Sequence, residues 1–239
     1  MTPNCSRASH RLCKLITLPN PHAATFPIPL DSPQPTMIIS HAHKFIFVKT
    51  KKTAGTSIEI FLAPHCGPDD VLTPIDPPDP RHTAQNDDGF GPHFAARKIR
   101  SLVGPDLWNE YTTFCVDRNP WDKMVSHYYA FNARKAGGSL TFDDFIESGK
   151  GPFNFDKYTD AQDNVIVDHV LKYEDLPDAL DQILTPRGIP PFRGVHAKSE
   201  YRTNRAPYQE HYTPQQAAAI EQLFAKEIAL HGYTFNPSP

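Results

Sequence analysis

Apolar and polar positions divide this chain into an irregular start and a patterned remainder. Over residues 1–36, Pro3, Pro19, Pro21, Pro27, Pro29, Pro33 and Pro35 recur without any hydrophobic period, which predicts a Pro-rich extended or disordered N-terminal arm. The first buried strand is expected at Phe45 to Val48, an aromatic and β-branched run. A helix follows, with Thr56 or Ser57 as its cap and Ile58, Ile60, Phe61 and Leu62 as its docking surface. The same order returns further on. Thr112 to Val116 reads as a strand, Pro120 suits a first helical position, and Trp121 to Phe131 reads as a helix with an aromatic face. Phe94 to Leu102 predicts a short helix, and Pro64 to Gly91 is irregular. The closing helix has Thr213 as cap, Pro214 in its first turn, Gln216 completing a capping box, and a buried stripe of Ile220, Leu223, Phe224 and Ile228. No internal repeat is present. Two strand-loop-helix units imply an α/β domain over 37–239, three-layered and P-loop-like, with a central mainly parallel sheet flanked by helices.

The chemistry-bearing residues collect where these strands give way to helices. Lys49, Lys51, Lys52, Thr53 and Gly55 lie between the first strand and its helix. Amides at a helix start point outward and carry the positive end of the helix dipole, so a phosphate or sulfate fits there. Gly55 lets the backbone approach such an anion. A Walker A loop needs two glycines flanking four residues and then Lys-Ser/Thr, whereas here the lysine precedes the single glycine. Arg118 stands at the second junction, where its planar fork suits a phosphate; pairing with Asp117 or Asp122 on a surface turn is the alternative.

The segment Lys52-Thr-Ala-Gly-Thr-Ser57 resembles the phosphosulfate-binding loop of sulfotransferases that use 3'-phosphoadenosine 5'-phosphosulfate (PAPS). Arg118, Asn119, Pro120, Ser126 and Tyr128 match that family's 3'-phosphate motif, with Lys123 where an arginine is often found. The resemblance extends from Met37 to Phe235. Asp168 to Leu176 is similar to a late strand and Glu-x-Leu turn of these enzymes. The segments from His196, Tyr208 and Gly232 onward resemble the carbohydrate-type branch, which includes Golgi enzymes and bacterial relatives. The resemblance implies sulfuryl transfer from PAPS to a hydroxyl of a small-molecule or oligosaccharide acceptor. Lys52 would donate to the oxygen bridging phosphate and sulfate, and the loop Thr53, Ala54, Gly55, Thr56 and Ser57 would hold the 5'-phosphate. Arg118 and Ser126 would hold the 3'-phosphate. Lys198 and Ser199, with Arg202 and Arg205, would close over it, an exposed basic loop being the alternative. His93, shortly before the second motif, would be the base, with His82, Asp87, Asp88 or Glu59 in reserve.

Composition narrows the field. A net charge of −3 leaves no footprint for general nucleic-acid binding. The four cysteines lack Cys-x-x-Cys spacing, so neither a metal site nor a disulfide scaffold is expected, and a cytoplasmic setting follows. No apolar run approaches the roughly 18 residues of a membrane span. A P-loop kinase-like phosphotransferase and a catalytically inactive nucleotide-binding protein are the competing functions.

Overall fold

A computed structural model describes residues 37–90, 94–134, 140–193 and 201–236. The arm over 1–36 lies outside the described residues, as do His93, Lys198 and Ser199. In chain order the strands are β1 (Met37–Ser40), β2 (Phe45–Val48), β3 (Val71–Leu72), β4 (Thr112–Asp117) and β5 (His169–Lys172). The helices are α1 (Gly55–Leu62), α2 (Ala96–Glu110), α3 (Pro120–Arg134), α4 (Phe142–Glu147), α5 (Phe155–Tyr158), α6 (Asp178–Leu184), α7 (Pro214–Leu223) and α8 (Ala225–His231).

The five strands form one sheet in the order β3-β1-β2-β4-β5. β2, β4 and β5 run parallel, with Phe45 beside Thr112 and Phe114 beside His169. β1 is antiparallel to both β2 and β3. The sheet is therefore mixed rather than mainly parallel. The reason is local: only four residues, His41 to Lys44, join β1 to β2, and a turn that short can only return the chain antiparallel. β3 arises inside the segment expected to be irregular. Asp70 folds this edge onto β1, accepting from Ser40 Oγ at 2.8 Å and from the amides of His41 and Gly67 at 2.6 and 2.9 Å.

Alternate strand residues serve opposite faces, as the two-residue period requires. Phe45, Phe47, Phe114 and Val116 pack with Ile58 and Leu62 of α1 and Leu180, Ile183 and Leu184 of α6. Ile46, Val48 and Cys115 pack with Ala96, Ile99 and Trp108 of α2. Helices thus cover both faces. A third cluster joins α3, α4 and α7 through Trp121, Met124, Phe145, Ala217 and Ile220.

The short helix expected from Phe94 to Leu102 is the first half of α2: Gly104, at φ 82° and ψ 162°, breaks the helix there, and Pro105 opens a second stretch that Trp108 buries. The Thr213 capping box forms as expected, but Phe224 breaks the closing helix into α7 and α8. Ile220 and Phe224 are fully buried, whereas Leu223 is 39% exposed and faces away from the stripe. Since β2, β4 and β5 are parallel, the residues that follow them gather at one edge of the sheet.

Candidate functional site

The first loop at this edge opens α1 with an unusual cap. Ala54 is the cap residue, in the left-handed region at φ 61°, and offers no side-chain acceptor. Thr56 and Ser57, expected as caps, lie instead within the first helical turn. Lys52 is also left-handed, at φ 63°. Each such non-glycine residue costs roughly 1–2 kcal/mol, and an alternation of left- and right-handed residues turns successive amides toward one concavity that suits an anion.

Side chains stitch this loop from below. Thr53 is fully buried; its hydroxyl donates to Thr50 O at 3.2 Å, and Thr50 Oγ1 donates to Val116 O on β4. What Thr53 can offer an anion is its amide rather than its hydroxyl. Lys49 Nζ pairs with buried Glu59 at 2.6 Å and donates to Thr56 Oγ1 at 3.2 Å. That commits Glu59 to an ion pair and removes it as a base. The same lysine explains Gly55, where a Cβ would lie 2.6 Å from Lys49 Cγ. The glycine is needed by the lysine stem, not only by an approaching anion.

The second loop is built differently. Asn119 Oδ1 accepts from the amides of Trp121 and Asp122 at 3.1 and 3.4 Å, so the start of α3 is closed by a side chain. Arg118 extends over the Tyr173 ring, 4.1 Å from its centroid, and donates to Asp122 Oδ2 through Nε at 2.9 Å and Nη2 at 2.5 Å. The Asp122 pairing foreseen as an alternative is therefore present. Arg118 Nη1 also donates to the carbonyl of Lys52 at 3.2 Å, which joins the two loops directly. Arg202 Nη1 reaches the other oxygen of Asp122 at 2.8 Å, so one carboxylate holds two guanidinium groups at the same place.

Ser126 is half-buried two turns into α3. Tyr128 donates to Leu140 O at 3.1 Å and packs edge-on against Phe142, which makes it a structural anchor rather than part of the site.

Beneath both loops lies a buried polar cluster that sequence reasoning missed. Asp117, at the end of β4, is fully buried. Its oxygens accept from Lys123 Nζ and Tyr158 OH at 2.8 Å, Asn154 Nδ2 at 3.1 Å and the Arg118 amide at 2.8 Å. Lys123, also fully buried, lies 3.6 Å from Glu227 Oε1 on α8. The motif's lysine thus serves the interior and presents no charge to a phosphate. Burial holds the Glu227 carboxyl above its usual range, against the pull of Lys123.

Two histidines border the loops. His127, one residue past Ser126, packs on Phe145; burial first, then Lys52, Lys51 and Arg134, push its imidazole down to about 4. It is one helical turn beyond Lys123, the spacing that could have drawn notice to it. His82 is buried, and its Nε2 has no hydrogen-bond partner among the described residues. Burial and then Lys49 lower its imidazole below the usual range. Lys51 is likewise lowered by burial, then by Lys157. Among the described residues no cluster of histidine, cysteine and carboxylate side chains could hold a metal, and no helix is long and apolar enough to cross a membrane.

No family model matches the chain, and no solved structure matches it. An uncharacterized protein of Archaeoglobus fulgidus is 36% identical over 96 residues, which span 38% of this chain and 80% of that protein. The chain belongs to one family with that protein.

Proposed function

We propose that this protein is a sulfotransferase that passes a sulfuryl group from PAPS to a hydroxyl of an acceptor, with a carbohydrate as the acceptor class. The observation that carries the reading is the bond from Arg118 Nη1 to Lys52 O, because it joins the two anion motifs at one edge of the mixed sheet, which we read as P-loop-like. A nucleotide with phosphate at both ends requires two such sites within one small molecule's reach. The donor set fits: the opening amides of α1, which no side chain caps, left-handed Lys52 and Ala54 before them, and Arg118 on the neighbouring strand's loop with Arg202 joined to it through Asp122. Asp122, and Glu174 accepting from the Asn119 amide at 2.7 Å, disfavour an anion here, and Arg118 and Arg202 offset them.

PAPS supplies an activated sulfuryl group with a phosphate as leaving group. The amides from Thr53 to Ser57, with Ala54 shaping them, bind the 5' end, and Lys52 donates to the leaving oxygen as charge builds there. Arg118 and Ser126 bind the 3'-phosphate, and Lys198 and Ser199 are assigned to the same phosphate by their place in the sequence alone. His93, by its place in the sequence before α2, takes the proton of the attacking hydroxyl. Neutral His127 lets the loop lysines approach without adding a positive charge beside them.

Lys52→Ala should lower turnover more than it lowers affinity, because its bond to the leaving oxygen strengthens only in the transition state. Calorimetric titration with 3'-phosphoadenosine 5'-phosphate and with ATP, each with and without magnesium, tests the nucleotide, and PAPS turnover on a panel of sugars tests the transfer. Tighter binding of magnesium-ATP would favour a phosphotransferase instead.

A further inference from the structure

Asn154 precedes α5 in the position where an asparagine usually caps a helix, yet its side chain makes no cap bond. Its carboxamide is spent on the loop instead. Oδ1 accepts from the Lys51 amide at 2.8 Å, and Nδ2 donates to the Lys51 carbonyl at 3.1 Å and to Asp117 Oδ1 at 3.1 Å. The side chain is fully buried, and its own amide donates to Glu227 Oε1 at 3.3 Å. One carboxamide therefore grips both polar groups of a single loop residue while being held by the carboxylate at the end of β4.

The gripped residue directly precedes left-handed Lys52. A strained loop persists only where its surroundings over-determine it. Thr50 and Thr53 hold the loop on its β4 side, but among the described contacts the backbone of Lys51 is held by Asn154.

We propose that Asn154 is a positioning residue for the anion-binding loop: by fixing the backbone of Lys51 against Asp117, it sets where the amides from Lys52 to Ser57 converge. The inference deepens the sulfotransferase reading and rests on it for the identity of the anion, the 5' end of the nucleotide. It also gives the second motif a role in shaping the first, since Asp117 orients the carboxamide that shapes Lys51.

The test uses the full chain with Asn154→Ala and, as a milder polar change, Asn154→Ser. Native-state hydrogen exchange should show amides from Lys51 to Gly55 exchanging about tenfold faster or more, with β1 protected as in wild type. In calorimetry, the gain in affinity from adenosine 3'-phosphate to 3'-phosphoadenosine 5'-phosphate should shrink by about tenfold, while adenosine 3'-phosphate itself binds as before. Equal losses for both nucleotides, unchanged exchange in the loop, or failure of both variants to fold would each overturn the positioning role. If wild type binds neither nucleotide, the sulfotransferase reading fails and the exchange result alone decides the role of Asn154.

Discussion

The helix starts at α1 and α3 stand side by side at the same sheet edge and treat their opening amides in opposite ways. At α1 the cap is Ala54, left-handed and without a polar side chain, so no side-chain cap closes the opening turn. At α3 the side chain of Asn119 accepts from the opening amides, and the loop's reach comes from Arg118 instead. One element is suited to bind with backbone and the other with a side chain. The first is therefore specified by conformation and the second by charge, and a substitution that damages one should leave the other's chemistry intact.

The largest break in this comparison should come from the carboxylate beneath both loops. Asp117→Ala strands Lys123 in the interior and leaves Asn154, Tyr158 and the Arg118 amide without their acceptor. Removing one partner of a buried ion pair costs about 3–5 kcal/mol. Urea unfolding checks this, and a loss below about 1 kcal/mol would mean that the cluster does not support the site.

A smaller effect should appear with acid. In the unfolded chain His127 titrates near 6.5, and in the fold it is held down to about 4. Between those values the unfolded chain takes up a proton that the native protein refuses, so stability should fall as pH drops through that window. The loss should be on the order of 1–3 kcal/mol, allowing for partial solvent screening. His127→Gln should flatten that limb of the curve; an unchanged slope would contradict the burial of a neutral imidazole beside the lysines.

The smallest change sharpens the contrast at the caps. Ala54→Gly relieves a left-handed alanine and should stabilise the fold by about 0.5–1 kcal/mol, less the added entropy of the unfolded chain. Thermal unfolding reads it. A clear loss of stability would show that the Ala54 side chain does more than tolerate its backbone.

Much of this arrangement was legible from local pattern, and the rest depends on distant partners. The runs Phe45–Val48 and Thr112–Asp117 declare themselves as strands because their apolar residues serve two buried faces. The Thr213 box forms because every group it needs lies within four residues. The edge strand β3 was not legible, since it is only two residues long and exists through the Asp70 clamp on a turn far away in sequence. Lys123 stands where the motif often has an arginine, and Asp117 and Glu227 claim its ammonium from inside. Asn154 gave no local sign, because its partners Lys51 and Asp117 come from other elements. Glu59, a reserve base on sequence alone, is bound by Lys49 ten residues earlier.

If the two loops hold opposite ends of one nucleotide, the Arg118 side chain reports it most directly. Wild type and Arg118→Ala would be titrated with 3'-phosphoadenosine 5'-phosphate and with adenosine 5'-phosphate. The account predicts that wild type prefers the nucleotide bearing the 3'-phosphate, and that the variant loses about 2–5 kcal/mol of that preference while binding adenosine 5'-phosphate nearly as before. A variant that discriminates between the two nucleotides as well as wild type does would contradict it.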